Sequence, residues 1–260
     1  MGPPLWAQYS SLGTSGALGL FKAAKADIIH RLRALDGFVL QRALMVLNPM
    51  PGLFAKLGIF VPPPPSGGPP LEMSSHNLTP FEAVIWSMSI ANALRQIFWL
   101  LFTSKESMTA SSAFSISIFN TLCNSLNTLA FTLASINPTW SENALYMSIP
   151  IFITGILVES ISEIQRKAFK DDPKNAGKLY SGGLFSYARH INYCGYMLWR
   201  GSMALAGGGW IWGTLIASFF WFDFNSRSIP TLDEYCARRY GEQWQAVKRK
   251  VPYAFFPGVY

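Results

Sequence analysis

Four ionisable side chains recur at helical spacing in the middle of the chain: Glu159, Glu163, Arg166 and Lys170. In a helix, separations of three and four residues place all of them on one face. That face runs out of an apolar stretch into a polar one, so the pattern predicts an ionic stripe at a membrane boundary. Two interpretations stay open: a ladder of weak salt bridges, or the charged wall of a ligand site.

A second polar cluster follows in residues 182–195, where small, aromatic and hydrogen-bonding side chains come together. Arg189, His190, Asn192 and Tyr193 offer donors for phosphate, ribose or amide groups. The glycines of this segment allow the backbone to approach a ligand closely. The segment therefore indicates a site for a nucleotide, at the point where the polar loop meets the membrane again.

Other common chemistries have no local support in the sequence. Cys123, Cys194 and Cys236 are too few and too scattered for a disulfide framework, and no Cys/His spacing suits zinc. The P-loop, zinc-protease and serine-hydrolase motifs are also missing. We therefore predict neither a disulfide nor a bound metal.

The composition indicates a membrane protein. Half of the 260 residues are apolar, 13% are charged, and the mean hydropathy is +0.22. The net charge of +7 is uneven, because residues 1–163 hold eight basic and eight acidic side chains whereas residues 164–260 hold thirteen and six. The basic part is interleaved with tryptophan-rich apolar runs, which favours cytosolic loops of a membrane protein over a nucleic-acid surface.

The apolar runs predict an all-α fold, a polytopic membrane helical bundle with about five membrane segments. A spanning helix needs about 20 mainly apolar residues. Two of the runs are short and flank Gly207-Gly208-Gly209, which favours a C-terminal helical hairpin. Within the first run, Arg95 is expected to pair inside the bundle. The five runs are Phe81–Phe102, Ala113–Ile136, Leu145–Ile161, Tyr193–Leu205 and Trp210–Phe224.

Composition also divides the chain into four predicted parts. Residues 1–61 form an amphipathic N-terminal head, and residues 62–80 form an extended linker rich in proline and glycine. Residues 81–163 form transmembrane helices, and residues 164–260 form the C-terminal region that holds both polar clusters. The positive-inside rule places this basic region in the cytosol.

Two patterns in the C-terminal region resemble a known family. GLFxYxRHxNYxG spans residues 183–195, and DEYCxxxYGxxWxxxxxxVPYxxxPGxY spans residues 233–260. Together they resemble the steroid 5α-reductase and sterol reductase superfamily over residues 155–260, and in detail its fungal-type branch. This superfamily is related to isoprenylcysteine methyltransferase-type membrane proteins.

The resemblance implies a multi-span membrane enzyme that binds NADPH in a cytosol-facing cavity and reduces a carbon–carbon double bond of a sterol, terpenoid or acyl substrate. By position, Arg166 and Lys170 would hold the 2′-phosphate, and the RHxNY element would line the phosphates and the nicotinamide ribose. The cofactor-binding residues implied in this way are Arg166, Lys170, Arg189, His190, Asn192, Tyr193, Arg227, Asp233, Glu234 and Tyr240.

The resemblance does not assign the proton donor. Many members carry an acid directly after NYxG, where this chain has Tyr196, and residues 1–150 show no clear match. Hydride delivery to one carbon needs a proton for the other carbon or for an enolate oxygen. The candidates near the membrane level are Glu159, Tyr187, Tyr196 and Asp223. For Glu159, a satisfied carboxylate at a helix end is an equal alternative.

Two other functions stay open. Isoprenylcysteine and phospholipid methyltransferases carry a similar motif followed by an aromatic pair, which Tyr196 and Trp199 resemble, and they would use S-adenosylmethionine. Arg166 and Lys170 favour NADPH, because S-adenosylmethionine has no phosphates. A non-catalytic lipid-binding scaffold is the third function. The expected partners are the lipid bilayer and a hydrophobic small-molecule substrate, in the endoplasmic reticulum membrane.

Overall fold

The computed structural model describes residues 49–71, 78–103 and 110–259. Within these ranges the chain is all-helical and has no strands, as the sequence predicts. The predicted N-terminal head lies largely outside the described residues. The α-helices are α1 (Pro49–Ala55), α2 (Pro80–Phe98), α3 (Ala110–Thr132), α4 (Glu142–Asp171), α5 (Ile191–Asp223), α6 (Ile229–Tyr240) and α7 (Glu242–Lys250). Two π-helical turns, Trp99–Thr103 and Phe224–Ser228, follow α2 and α5.

Helices α2 and α4 begin where the sequence supplies N-caps. The Glu82 amide donates to Thr79 Oγ1, and the Thr79 amide donates to Glu82 Oε2 at 2.9 Å, which completes a capping box before α2. The Ala144 amide donates to Ser141 Oγ at 3.2 Å and caps α4. Ahead of α2, residues 61–66 form neither helix nor strand, as expected for the proline-rich linker.

Helices α4 and α5 cross at two glycines in the centre of the bundle. A Cβ on Gly155 would lie 2.6 Å from the backbone nitrogen of Trp199, and a Cβ on Gly195 would lie 2.6 Å from the backbone nitrogen of Glu159. The two backbones come this close because neither position carries a side chain. The crossing places the Glu159 carboxylate beside the Trp199 indole.

Helix α5 is a hairpin of two arms that meet at Gly209, where φ is 76° and ψ is −169°. We call residues 191–208 arm α5a and residues 210–223 arm α5b. The two arms pack against each other in antiparallel directions. A Cβ on Gly201 would lie 2.9 Å from the Ala217 Cβ, and a Cβ on Gly213 would likewise meet the Leu205 side chain. The hairpin predicted from the two short apolar runs is therefore present.

The loop before α4 holds the hairpin turn. Asn137 Nδ2 donates to the Gly208 carbonyl at 2.9 Å, and the Trp140 indole donates to the Ala206 carbonyl at 3.0 Å. The Trp210 amide donates to the Thr139 carbonyl at 3.1 Å. The break in the helix at the turn leaves backbone groups without hydrogen bonds inside the helix. The loop before α4 supplies hydrogen-bonding partners for these groups.

Two helical segments in the described part of the chain are long and apolar enough to span a membrane: α4, and the stretch Ile191–Tyr240 that contains the hairpin. Helices α2 and α3 coincide with two predicted spans but do not meet the same criterion. The total of about five membrane segments therefore stays a prediction. Large apolar side chains are exposed on the two segments, as contact with lipid tails requires: Ile153, Leu157, Ile211, Leu215, Phe219 and Phe222.

Candidate functional site

A cavity of about 790 Å³ lies among α2, α3, α4, α5 and α6, which is within the usual size range of ligand sites. Its mouth carries the exposed side chains of Arg166 and Arg227 and the half-buried Lys170, whereas its deep end is formed around the buried Trp199 and Arg200. Eleven of the predicted site residues line it: Glu159, Arg166, Lys170, Arg189, His190, Asn192, Tyr193, Tyr196, Asp223, Arg227 and Tyr240.

The ionic stripe of α4 forms one wall from the deep end to the mouth. Glu159, Glu163, Arg166 and Lys170 all face the cavity, as their helical spacing predicts. Glu163 is buried and forms an ion pair with Arg166, while Lys170 Nζ lies 3.1 Å from the Tyr240 hydroxyl and 2.5 Å from the Lys178 carbonyl. The stripe therefore contains a salt bridge and also lines a cavity, and its role in binding a ligand stays a prediction.

The RHxNY segment forms an adjoining wall of the cavity. Arg189 Nη1 donates to the Val251 and Pro252 carbonyls at 2.6 and 2.7 Å, which ties the segment to the C-terminal tail. Asn192 Nδ2 donates to Glu163 Oε1 at 2.9 Å and so links the two walls. These contacts fix the segment before any ligand binds.

His190 and Tyr193 form an aromatic stack on this wall. Their rings lie 5.7 Å apart at 9°, and Tyr193 stacks in turn on Phe224 at 4.6 Å and 7°. Burial of the His190 ring, with a contribution from the positive charge of Arg189, lowers the pKa of His190 to about 4. The imidazole is therefore neutral at pH 7 and offers a flat ring and a hydrogen-bonding nitrogen rather than a charge.

Arg227 extends the mouth from the π-helical turn after α5. Its Nε and Nη2 donate to the two carboxylate oxygens of Asp223 at 2.9 and 2.8 Å, one turn earlier. The Arg227 side chain is 71% exposed, so this pair is screened by water and weak. An anionic ligand at the mouth can therefore compete for the guanidinium.

Three predicted residues lie outside the cavity lining. Asp233 accepts from the Trp244 indole at 2.9 Å and from Lys248 Nζ at 2.7 Å, which joins α6 to α7. Glu234 is exposed and pairs with Arg238 at 3.4 Å. Tyr187 is 61% exposed, in the loop before α5.

The deep end contains a buried polar network. Glu159 forms an ion pair with Arg95, so this arginine is paired inside the bundle as the sequence predicts. The second carboxylate oxygen of Glu159 accepts a hydrogen bond from the Trp199 indole at 2.5 Å. Arg200 is 2% exposed, and its Nε donates to the Tyr196 hydroxyl at 3.1 Å. The other contacts of Arg200 are hydrogen bonds to the side-chain oxygens of Asn120 and Asn124.

Arg200 is a charged lining residue that sequence reasoning did not single out. A signal was available, because Arg200 lies four residues after Tyr196 in an otherwise apolar helix. Its amide partners lie 76 and 80 residues earlier in the chain. Only the packing of α3 against α5 shows that these groups meet.

The lining carries a formal charge of +3 at pH 7, because six basic and three acidic side chains contribute to it and His190 is neutral. The basic members come from five different parts of the fold: α2, α4, the RHxNY loop, arm α5a and the π-helical turn after the hairpin. Converging cations in a partly closed cavity attract an anionic ligand. No cluster of metal-ligating side chains occurs within the ranges that the structure describes.

Comparison with known proteins identifies the family. Residues 92–251 match the family model described as "Protein of unknown function (DUF1295)". The chain belongs to this family, which is part of the steroid 5-alpha-reductase-like superfamily. The superfamily predicted from the RHxNY and C-terminal motifs is confirmed, and the fungal-type branch stays a prediction.

The relatives are enzymes of two chemistries. A probable O-methyltransferase of Ustilaginoidea virens is 34% identical over 224 residues, which cover 80% of this chain and 76% of that protein. A Delta(14)-sterol reductase of Gibberella zeae is 27% identical over 157 residues, 42% of this chain and 33% of that protein. The protein-S-isoprenylcysteine O-methyltransferase of Schizosaccharomyces pombe is 28% identical over 74 residues, 28% of this chain and 31% of that protein.

The chain thus spans three quarters of the first relative and about a third of the other two. Membrane-enzyme relatives, together with two apolar helices, indicate a membrane protein. Because these relatives are enzymes, an enzymatic function is also favoured for this chain. The reaction type stays open, since some of the relatives are reductases and others are methyltransferases.

Proposed function

We propose that the protein is a membrane-embedded, NADPH-dependent reductase that acts on a carbon–carbon double bond of a lipid-like substrate. The observation that carries this proposal is the formal charge of +3 on the cavity lining. NADPH brings roughly four negative charges in its pyrophosphate and 2′-phosphate. S-adenosylmethionine brings a net positive charge instead, which the same lining repels.

The mouth offers the right donors for the cofactor. Arg166 and Lys170 would hold the 2′-phosphate, as the family motif implies, and Arg227 would hold the pyrophosphate. In the free protein these side chains contact Glu163, Tyr240 and the Asp223 carboxylate, and Arg166 and Arg227 are 46% and 71% exposed. The solvated Asp223–Arg227 pair is weak enough to be replaced by charge-assisted contacts to phosphate, and the half-exposed Arg166 can reach a phosphate while it stays paired with the buried Glu163. When bound, NADPH supplies a hydride ion.

The chain's own residues hold the substrate and control its surroundings. Phe119 and Phe220 pack edge to face and give the cavity an aromatic wall between α3 and arm α5b, which suits a flat apolar substrate. Glu159 accepts hydrogen bonds at both oxygens, from Arg95 and Trp199. It therefore orients these two side chains, and the proton donor is another group.

The preference for NADPH over NADH tests the proposal directly. Purified protein in detergent binds NADPH more tightly than NADH, because only NADPH carries the 2′-phosphate. Arg166→Ala reduces that preference by about tenfold, the loss expected for one charge-assisted hydrogen bond. Isothermal titration with both cofactors measures the ratio.

Arg238→Ala is the matched control, because Arg238 is an exposed arginine of α6 outside the cavity lining. It leaves the ratio unchanged. Equal affinity of the unmodified protein for NADPH and NADH would contradict the assignment of Arg166 and Lys170 to the 2′-phosphate.

A methyltransferase is the second candidate, and one specific observation favours it: the 34% identity to the probable O-methyltransferase extends over 80% of this chain. Tyr196 also replaces the acid that many reductases carry. Saturable binding of S-adenosylmethionine, without any response to NADPH, would establish this function instead. Binding of neither cofactor by folded protein would support a lipid-binding scaffold.

The proposal also includes the cellular location of the protein and its orientation in the membrane. We place the protein in the endoplasmic reticulum membrane, with the cavity mouth and the C-terminal region in the cytosol. The basic excess of residues 164–260 supports this orientation, and cytosolic NADPH would reach the mouth directly.

A further inference from the structure

We propose that a surface patch beside the membrane binds the headgroups of anionic phospholipids such as phosphatidylserine. The patch consists of Tyr187, in the loop before α5, and of Arg249, Lys250 and Tyr253, where α7 passes into the C-terminal tail. All four residues lie outside the cavity lining. The inference therefore concerns a different part of the surface from the proposed reductase site and does not depend on the reaction.

The tail lies at the level where the hairpin enters the membrane. The Arg189 amide donates to the Tyr253 carbonyl at 3.0 Å, and the His190 amide donates to the Ala254 carbonyl at 2.9 Å. Arm α5a begins at the next residue, Ile191, and belongs to a segment that is long and apolar enough to span a bilayer. The tail is therefore placed at the boundary between the hydrocarbon core and water.

The patch is held in place before any lipid binds. Arg189 Nη1 donates to the Val251 and Pro252 carbonyls at 2.6 and 2.7 Å. Val251 and Phe255 are buried, so side chains on both sides of Tyr253 anchor the tail to the bundle. Because the backbone is already fixed, a bound lipid has to order only the exposed side chains of the patch.

Exposed aromatic rings lie at the same level. Tyr187 is 61% exposed and Tyr253 is 38% exposed, although the backbone around both is fixed. Trp221, at the end of arm α5b, is also exposed, and the next turn of the chain packs on the tail through Phe224 and Phe255, whose ring centres are 6.2 Å apart. Tyrosine and tryptophan rings favour the headgroup region, where the ring contacts lipid and the polar atom stays hydrated. These rings therefore favour a lipid surface over open water.

Arg249 and Lys250 give the patch two positive charges. Both side chains are exposed, and neither belongs to an ion pair within the part of the chain that the structure describes. The preceding Lys248 differs, because it pairs with Asp233 at 2.7 Å. An anionic headgroup can therefore bind at Arg249 and Lys250 without displacing an acidic side chain.

An anionic phospholipid fits these groups better than a soluble polyanion does. Residues 241–259 hold three basic side chains and one acidic side chain, a small excess for a nucleic acid, which is bound through many phosphate contacts. Each basic side chain beside an anionic bilayer strengthens the attachment about fivefold. Phosphatidylcholine carries the same phosphate, but its trimethylammonium group cancels the charge. The patch should therefore distinguish the two lipids.

Two spin-labelled lipids measure this preference at the patch itself. Ser186→Cys, at the exposed residue before Tyr187, carries a bimane fluorophore in a background without Cys123, Cys194 and Cys236. The full chain is reconstituted in phosphatidylcholine vesicles with a minor fraction of either phosphatidylserine or phosphatidylcholine that bears a nitroxide near the headgroup. We expect the phosphatidylserine label to quench bimane at least about threefold more strongly. High salt should remove most of that difference.

Arg249→Ala combined with Lys250→Ala is the decisive change, because it removes both charges and leaves the buried Val251 in place. It reduces the quenching ratio of the two lipids to about one. Arg249→Lys combined with Lys250→Arg keeps both charges and therefore keeps the ratio. Lys174→Ala combined with Arg238→Ala is the matched control, since it removes two exposed charges outside the patch and leaves the ratio unchanged.

The outcomes separate a lipid site from its alternatives. Equal quenching by the two labelled lipids overturns the inference, and so does a ratio that Arg249→Ala with Lys250→Ala does not change. A ratio that is lost in the matched control as well would assign the preference to overall charge and would also overturn the site. Glycerophosphoserine, the headgroup without acyl chains, leaves the ratio unchanged. Competition by this compound would indicate a site for a free phosphate ester instead of a lipid.

Discussion

At the scale of single residues, His190 shows how burial sets a protonation state beside a basic cavity. The ring is 2% exposed and lies against Tyr193 and Trp244, with Arg189 as its neighbour in the chain. Both burial and the nearby positive charge disfavour the imidazolium form. The folded protein therefore contains a neutral histidine that its unfolded chain would protonate at mildly acidic pH.

This difference predicts a loss of stability on acidification. The pKa of His190 is about 4 in the folded state against an ordinary value of 6.5, so the unfolded state binds more protons between these values. The contribution of the neutral His190 to the free energy of unfolding is fully present above pH 6.5. It decreases as the pH falls toward 4, by about 2 kcal/mol at pH 5. Thermal unfolding in detergent at pH 7 and pH 5 measures it, and His190→Gln flattens the dependence. Parallel pH curves for the two proteins would contradict the assignment.

The predictability of site residues from sequence depends on whether their partners are local. The stripe from Glu159 to Lys170 was readable because helical spacing alone aligns its members. Asp233 was assigned to the cofactor by resemblance, yet the structure gives its oxygens to Trp244 and Lys248. The role of Arg200 depended on contacts between distant helices, which no local pattern contains.

At the scale of elements, the hairpin of α5 depends on one backbone conformation. Gly209 adopts φ 76° and ψ −169°, a region that only glycine occupies readily. A Cβ there would also lie 2.3 Å from the Thr139 carbonyl oxygen. The apolar runs and the glycine triplet were enough to predict the hairpin, but the residue of the turn required the structure, because three adjacent glycines are equivalent in sequence.

Gly209→Ala is therefore expected to destabilise the protein by about 3 kcal/mol, from backbone strain plus the collision with the loop at Thr139. Gly177→Ala is the matched control, since Gly177 has the same φ of 76° and nothing within 4 Å of an added Cβ. Its cost is about 1 kcal/mol. Thermal unfolding in one detergent compares the two variants. Equal losses would show that the contact with the loop is unimportant.

At the scale of the whole molecule, the cavity mouth and the C-terminal helices share one face of the bundle, because the hairpin returns the chain to the side where it began. The loop that holds the turn, residues 137–140, lies at the opposite end of α4 from Lys170. This arrangement predicts which positions share a side of the membrane.

Single cysteines in a background without Cys123, Cys194 and Cys236 test this arrangement. Lys174→Cys and Lys250→Cys, both at exposed positions, react together with an impermeant maleimide in sealed vesicles, or are protected together. Pro138→Cys, exposed before α4, shows the opposite behaviour. Labelling of only one of the two lysine positions would be incompatible with the hairpin.

The hairpin also has a consequence for how the chain acquires its orientation. A segment that enters and leaves the membrane at the same face adds an even number of crossings, so it leaves the sidedness of everything after it unaltered. Orientation is therefore decided before Ile191, by the helices upstream and the basic loop that follows α4. The final helices therefore stay on the side that the upstream helices choose.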